Sequence, residues 1–450
     1  NGKYQSGTSG QTSENFEIVR PNTPGVCYGL VFCDGGDVVI NHDIRFNRDT
    51  ANAGEGTYGG LTVAGAGRVT VRAANSVVFG HNQNSRGQAV VNLNGRGILR
   101  AGDIYRVSSA TLMAETKLNF DGGTFDFRRG TNVFDRGMEA VVYGRGGKIG
   151  ASSGMIHVTA DTNLRLAQGN GVTHLALTGG GSGYMAPPIV TLSGGGGAGA
   201  TAAAFISYES GMVTGVVITC RGENYLEAPT VSFTGGGGSG AAAVAALGPN
   251  GAGALAFIGP NDTAIERLTN FDGEVQACGG NVVISSVATA DPGMPEVSAV
   301  RVSGGALQVG SGTSAADNAL DNLINPAASL FLGGDHGGGT YRQMCGPADN
   351  VHSQYFGAIQ VNTGKSVLES GGVSVTQGDR SRLALLCTDQ FDREAGGVIE
   401  AASAHLANFD VKTGASHFFG TAHPILAGVF RGEAAGFLTL SPEGAWTPLE

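Results

Sequence analysis

Two short stretches have the residue types and spacing of catalytic motifs. Gly150–Gly154 reads GASSG and fits the GxSxG pattern of a nucleophile elbow, which needs a strand before the serine and a helix after it. The next segment, Met155–Thr159, alternates like a strand, which argues against an elbow. Asp335 and His336 stand before three glycines and could form a site, but a solvated turn is the favoured interpretation. We therefore predict no catalytic constellation.

Two further patterns have the composition of binding sites. Asp34, Asp37 and Asp43 lie close together in sequence and offer the hard oxygen ligands that Ca²⁺ prefers, although they match no known calcium loop, and a polar corner is favoured. Gly195–Ala200 fits the GxGxxA pattern of a dinucleotide-binding turn. The Ala-rich segment that follows is too short for the crossover helix that this turn requires. No cofactor or metal is predicted.

Composition narrows the class of protein. Glycine accounts for 77 of 450 residues and charged residues for only 14%, which predicts a folded, turn-dense chain with small, uncharged surfaces. The net charge of −10 is spread along the chain without a basic stripe, which argues against a nucleic-acid partner. No run of 18 apolar residues is present, so we predict no membrane span. Because the chain starts at Asn1, we expect an exported protein whose leader has been removed.

The cysteines lack the spacing of a metal site. Their number is even and no CxxC occurs, which makes disulfides the favoured interpretation for a secreted chain. Cys27 and Cys33 are the candidate pair, and the alternative is that several cysteines are buried free thiols. The six positions are Cys27, Cys33, Cys220, Cys278, Cys345 and Cys387.

A tandem repeat occupies residues 172–247. Two Gly-rich copies align without gaps at an offset of 41 residues, and such a repeat indicates stacked supersecondary units rather than a single catalytic core. Small residues recur with period two near the end of each copy, as in a strand with a closely approached face. The residues predicted to shape the repeats are Tyr184, Pro188 and Gly194 in the first copy and Tyr225, Pro229 and Gly235 in the second.

The rest of the chain alternates between short apolar-polar strands and turn residues. Asp37–Ile40, Thr124–Phe127 and Ala299–Val302 are examples. Glycine at the corners, low charge and irregular spacing predict an all-β fold of the β-solenoid type. One short helix is predicted at Ser314–Ile324, with Ser314 as its cap. The predicted divisions are a flexible arm (1–15), two solenoid parts (16–171 and 248–450) and the repeat (172–247).

Three segments carry a resemblance to a known family. Leu118–Phe127 (LNFDGGTFDF), Val302–Gly312 (VSGGALQVGSG) and the repeat pair, of the form GSGYxxPPxVTxxGGGGxGA, together resemble the bacterial autotransporter-associated β-strand-repeat passengers. The resemblance implies a right-handed parallel β-helix, a form of β-solenoid, displayed outside the cell. Similar glycine-rich repeats also resemble parts of phage virion fibres.

The predicted function is that of an extracellular structural protein, a self-assembling subunit of a filament, tube or sheath at the cell surface. Its predicted partner is a second copy of itself, with a surface polysaccharide as a further possible partner. Two alternatives stay open. One is a carbohydrate-binding or carbohydrate-cleaving β-helix, whose candidate carboxylates, Asp121 and Asp126, fall on different predicted turns. The other is a phage tail fibre.

Overall fold

The fold is all-β in a computed structural model of the 450-residue chain. The residues it describes are 3–6, 15–19, 28–47, 57–72, 75–81, 83, 85–132, 134, 137–159, 162–284, 293–310, 322–345, 351–372, 382–393, 397–403, 408–413, 425–428, 436–440 and 446–448. Short parallel strands stack turn upon turn into a β-solenoid, which confirms the predicted fold class. A separate six-stranded repeat domain is inserted between two successive turns.

One parallel sheet of 13 strands runs the length of the solenoid, and we call it the long sheet. At about 4.8 Å between neighbouring strands, it is roughly 58 Å long. Its strands are Lys3–Ser6, Asp37–Ile40, Arg68–Val71, Ile98–Ala101, Thr124–Phe127, Gly147–Ala151, Leu255–Ile258, Glu274–Ala277, Ala299–Val302, Ser329–Leu332, Val351–Val361, Arg382–Arg393 and Asn408–Thr413.

A second sheet of six parallel strands, the flank sheet, accompanies the first half of the solenoid. Its strands are Tyr28–Asp34, Tyr58–Ala64, Gly87–Asn94, Met113–Asp121, Glu139–Val142 and Leu164–Leu166. It ends where the repeat domain begins. Each turn therefore contributes three strands before the insertion and two strands after it.

The third side of the solenoid consists of two consecutive parallel sheets. The four strands of the first are Phe16–Ile18, Ile44–Phe46, Val77–Phe79 and Ile104–Arg106. The eight strands of the second are Thr131–Asn132, Ile156–Val158, Thr263–Ile265, Asn281–Ile284, Ala306–Val309, Thr340–Cys345, Gly364–Gly372 and Gly397–Ser403. A small antiparallel sheet near the end of the chain contains Ile425–Gly428, Gly436–Leu440 and Trp446–Pro448.

Strict register explains why short alternating strands are sufficient for this fold. Along each strand, successive side chains point alternately into the solenoid and away from it. In-register pairing therefore stacks equivalent apolar residues from turn to turn. The register of the long sheet aligns Val38, Val69, Leu99, Phe125, Ile149, Phe257, Ala277, Val302, Leu332 and Val361 in one inward column. These residues belong to a single continuous core. The pairing of Ile149 with Phe257 continues this column across the insertion.

The two repeat copies intertwine into one domain. Its strands are Asn170–Ser182, Ile189–Ser193, Ala198–Ser207, Met212–Glu223, Thr230–Thr234 and Ser239–Pro249. Thr191 of the first copy faces Ser232, its own equivalent 41 residues on, across an antiparallel pair. The last strand of each copy pairs with the first strand of the other copy. This reciprocal pairing gives the domain an approximate two-fold symmetry and a core of its own.

The predicted repeat residues lie at the contacts between the copies. The rings of Tyr184 and Tyr225 are buried in the domain core. Pro188 and Pro229 are also buried.

The glycine runs face the tyrosine turn of the other copy. Gly194 and Gly235 have positive φ angles of 80° and 78° in open surroundings. The next glycines make the closer contacts. A Cβ on Gly195 would lie 2.3 Å from the carbonyl oxygen of Glu227, and a Cβ on Gly236 would lie 2.3 Å from that of Ala186. Only glycine fits these two positions.

The predicted helix at Ser314–Ile324 is not found in the part of it that the structure describes. Residues 311–321 lie outside the described residues, and 322–324 form a turn, a bend and a bridge. Ile324 bridges Met294 in parallel, and its backbone is hydrogen-bonded by the side chain of Gln354. Pairing with neighbouring turns therefore fixes the backbone of Ile324, the last residue of the predicted helix. Of the arm at 1–15, Lys3–Ser6 pairs with Asp37–Ile40, and only Asn15 is otherwise described.

Candidate functional site

The residues with catalytic spacing do not form a catalytic group. Gly147–Ala151 is a strand, 152–154 form a bend, and Ile156–Val158 is again a strand, so no helix follows Ser152. The Ser152 hydroxyl donates a hydrogen bond to the carbonyl oxygen of Phe127. Asp335 and His336 occupy an exposed turn between Gly334 and Gly337. The predicted strand after the GASSG stretch is confirmed, and Asp335 and His336 lie in the turn that the sequence favours for them.

The acidic candidates pair with basic side chains. Asp126 lies 3.1 Å from Arg100, Asp121 accepts a hydrogen bond from Arg145, and Asp43 accepts one from Arg45. In the part of the chain that the structure describes, no group of three or more His, Cys, Asp or Glu side chains is arranged to hold a metal ion. Asp34, Asp37 and Asp43 are therefore not assembled into a calcium site there. Within the same residues, no helix has the length and apolar character to cross a bilayer.

The repeat domain contacts the solenoid at several points along the flank sheet. The hairpin Ala198–Ser207/Met212–Glu223 lies along the outer face of the flank sheet. Glu223 contacts Arg165 on the sixth flank strand, and Phe205 packs edge-on against Phe32 on the first, with ring centroids 5.6 Å apart. The hairpin therefore spans all six flank strands and ends, at its turn, beside the first of them.

A ladder of polar side chains lies beneath this hairpin. Asn119 Nδ2 donates to Asn92 Oδ1 at 2.9 Å, and Asn92 Nδ2 donates to Thr62 Oγ1 at 3.1 Å. All three residues are at least nine-tenths buried although they point away from the solenoid core. Asn119 Nδ2 also reaches Cys220 Sγ of the repeat domain, and the Tyr143 hydroxyl lies 3.2 Å from the same sulfur. Such a buried network specifies one docked position, because its members need each other as partners.

Alternating charges form a second chain of contacts across the interface. Lys117 Nζ lies 2.6 Å from Glu115 and 3.4 Å from Glu139, and Arg165 Nε lies 2.6 Å from Glu139. The guanidinium of Arg165 also donates to both carboxylate oxygens of Glu223, at 2.5 and 2.8 Å. A bidentate arginine–carboxylate pair is strong and directional. This pair fixes the base of the repeat domain to the last flank strand.

The protonation of Glu223 reflects these contacts. Burial alone would raise the pKa of its carboxyl group, but hydrogen bonds from Arg165 and from the backbone N–H of Gln168 outweigh burial and leave the pKa below its ordinary value. The same bonds with Glu223 raise the pKa of Arg165. The pair is therefore ionised near neutral pH.

The three cysteines whose side chains are described are free. Cys33 and Cys220 are buried and Cys278 is half-buried. The predicted disulfide between Cys27 and Cys33 is not confirmed, because Cys33 is a free thiol and Cys27 lies outside the described residues. Burial raises the pKa of the Cys220 thiol to about 11. Cys33 and Cys220 therefore fit the alternative prediction, that several cysteines are buried free thiols.

We expect Cys220 to resist alkylation while the repeat domain is docked. With a pKa of about 11, roughly one thiol in a thousand would be ionised at pH 8, and the thiolate is the reactive form. Iodoacetamide labelling followed by peptide mass spectrometry should leave Cys220 unmodified in the native protein and modify it fully in urea. Cys278, which is half-buried, serves as the internal reference for native labelling. Rapid native labelling of Cys220 would contradict the docked geometry.

Several exposed apolar side chains lie at the tip of the hairpin and on the first flank strand. Tyr208, in the hairpin turn, is 77% exposed, and Tyr28 and Leu30, on the first flank strand, are 53% and 50% exposed. Tyr28 and Leu30 share the outer face of their strand with Phe32, which contacts the hairpin. We call this surface the apolar end patch, and it comprises Tyr28, Leu30, Phe205, Tyr208 and Met212.

Comparison with known proteins does not assign the chain to a family. No protein-family model, no curated protein and no solved structure matches this chain. The resemblance to autotransporter passengers is therefore carried by the sequence segments alone.

Sequence analysis did not identify the interface residues. Arg165 and Glu223 are separated by 58 positions, and Asn119 and Cys220 by 101. Neither pair belongs to a local motif. One signal was available: Lys117, Asn119 and Glu139 are polar on strands whose alternate residues are apolar, and their positions mark the outer face of the flank sheet.

Proposed function

We propose that the protein is an extracellular structural subunit that associates with copies of itself. The observation that carries this proposal is the apolar end patch, which combines residues of the solenoid and of the docked repeat domain. Large apolar side chains that are exposed together favour association, because association removes their surface from water. The extracellular location is supported by the resemblance to autotransporter passengers.

The neighbouring strand edge supports a second copy as the partner. Tyr28–Asp34 lies at the edge of the flank sheet among the described strands, and its seven residues include neither lysine nor proline. Natural sheets block exposed edges with such residues, and an edge without them favours pairing with another chain. A head-to-tail contact that does not close would repeat and give a filament.

Polar substitution within the patch tests the proposal. We expect the average mass of the wild-type protein, measured by multi-angle light scattering, to increase with concentration. The double variant Leu30→Ser/Tyr208→Ser should stay monomeric over the same range, because it removes two exposed apolar anchors. Leu112→Ser is the matched control, since Leu112 is 48% exposed and lies outside the patch. A wild-type protein that is monomeric at every concentration would contradict self-association.

A further inference from the structure

The outer face of the long sheet concentrates positive charge over its third to sixth strands. These strands and the residues that directly follow them, in 68–72, 98–103, 124–130 and 147–154, contain six basic and two acidic residues. The other 21 of the 27 basic residues and 35 of the 37 acidic residues lie elsewhere in the chain. We call this surface the basic face, and its cations are Arg68, Arg72, Arg100, Arg128, Arg129 and Lys148. At its margin, Arg68 lies 3.9 Å from the partly exposed Asp37 on the second strand.

The two carboxylates of the basic face lie beneath arginine side chains. Asp126 lies 3.1 Å from Arg100, and Asp103 lies 3.1 Å from Arg129. The two carboxylate side chains are only 11% and 5% exposed, whereas the two arginine side chains are 41% and 45% exposed. The guanidinium groups therefore form the solvent-facing layer, and the potential at this surface is positive although the chain as a whole has a net charge of −10.

Three further cations of the basic face pair with no carboxylate among the described residues. They are Arg72, Arg128 and Lys148. Arg72 and Lys148 are exposed. Arg128 Nη1 donates a hydrogen bond to the carbonyl oxygen of Val71 at 3.3 Å, which holds this guanidinium beside the peptide bond between Val71 and Arg72. Like charges on one surface repel each other, and a bound anion removes this repulsion.

The arrangement of the cations fits a linear polymer that carries repeated negative charges. Neighbouring strands are about 4.8 Å apart, so the four strands extend the basic face over roughly 14 Å along the solenoid. The outward residues of these strands include no aromatic side chain on which a nucleic-acid base could stack, and this favours a polyanion without bases. The outward residues are Arg68, Thr70, Ile98, Arg100, Thr124, Asp126, Lys148 and Gly150.

We propose that the basic face binds a linear acidic polysaccharide through its carboxylate or sulfate groups. The basic face lies on the long sheet, whereas the apolar end patch lies on the flank sheet and the repeat domain. The two surfaces share no residue, so binding of the polysaccharide does not depend on self-association. The sequence pattern does not reveal the basic face, because its cations come from four separate turns.

Polymers that differ in charge test the proposal. Binding of the wild-type protein to immobilised dextran sulfate, alginate and uncharged dextran is measured by biolayer interferometry. We expect the two acidic polymers to bind and dextran not to bind. Because the attraction is between exposed charges, binding should weaken at least tenfold as NaCl rises from about 50 to about 300 mM.

A double variant tests the surface itself. Arg72→Gln/Lys148→Gln removes two exposed cations that have no partner among the described residues, and we expect it to weaken binding to both acidic polymers about tenfold. Arg221→Gln/Lys365→Gln is the matched control, because it removes the same charge from the repeat domain and from the third side of the solenoid, and it should bind like the wild type.

Three results would overturn the proposal. They are absence of binding to both acidic polymers, equal binding by the double variant and the wild type, and tighter binding of single-stranded DNA than of either acidic polymer. The last result would assign the basic face to nucleic acid. Circular dichroism establishes that each variant is folded, and Lys148→Gln alone, with an expected weakening of about threefold, replaces the double variant if that does not fold.

Discussion

Replacing Phe127 with alanine is expected to destabilise the solenoid by about 3–5 kcal/mol, the usual effect of removing a large aromatic side chain from a packed core. Phe127 is fully buried, and its ring centroid lies 4.5 Å from that of Phe125 and 5.9 Å from that of Phe134. Because stacked turns share one core, the cavity would weaken the contacts of the turns on both sides. Urea unfolding followed by circular dichroism measures the loss.

An outward-facing phenylalanine of the same sheet supplies the control. Phe331 is half-buried on the outer face of the long sheet, where the Arg301 guanidinium lies 4.4 Å from its ring centre. Phe331→Ala should change stability by about 1 kcal/mol or less, since it removes a partly exposed cation–π contact and leaves no cavity. If both variants lose the same stability, the assignment of inward and outward faces is wrong.

The second large effect is expected at the base of the repeat domain. Arg165→Met removes the cation that pairs with both Glu139 and Glu223. The side chain of Glu223 is only 11% exposed, and leaving such a carboxylate unpaired costs about 3–5 kcal/mol. We expect the loss of this ion pair to loosen the docking of the repeat domain. Mass spectrometry should then show faster hydrogen exchange in Met212–Glu223.

An exposed ion pair on the long sheet is the matched control. Arg68 and Asp37 are 46% and 45% exposed and their charged atoms lie 3.9 Å apart, so Arg68→Met should change stability by about 1 kcal/mol or less. Exchange in Met212–Glu223 should then match the wild type. If hydrogen exchange in Met212–Glu223 is the same in Arg165→Met as in the wild type, the ion pair between Arg165 and Glu223 does not hold the domain in place.

The same pair predicts a dependence on pH. The pKa of Glu223 is lowered on folding, so its contribution to stability is fully present above its ordinary pKa of about 4.5 and is lost as the pH falls through the lower value of the folded protein. Thermal unfolding recorded by circular dichroism at decreasing pH should show this loss. In Arg165→Met the partner that lowers the pKa is absent, and the corresponding part of the dependence should disappear.

The strands of the solenoid could be predicted because their signal is local. Asp37–Ile40 and Thr124–Phe127 have the bounds expected from their alternation of apolar and polar residues. The tandem repeat could be predicted because its two copies align without gaps at an offset of 41 residues. Its intertwining could not, because the pairing of Ala198–Ser207 with Met212–Glu223 and of Asn170–Ser182 with Ser239–Pro249 depends on contacts between the copies rather than on either copy.

The docking of the repeat domain could not be predicted from the sequence, for a related reason. A polar residue on an alternating strand is ordinarily read as exposed to solvent, and Asn92 and Asn119 fit that pattern. They are buried because a distant hairpin covers them. Most of the predicted helix at Ser314–Ile324 lies outside the described residues. At its end, Met294 and Gln354 on neighbouring turns bind the backbone of Ile324.

Negative-stain electron microscopy of the wild-type protein tests the proposed function most directly. Self-association through the apolar end patch predicts filaments or tubes of uniform width at high protein concentration, and their absence in the Leu30→Ser/Tyr208→Ser variant. Discrete, separate particles in the wild-type protein under all these conditions would contradict a self-assembling structural subunit.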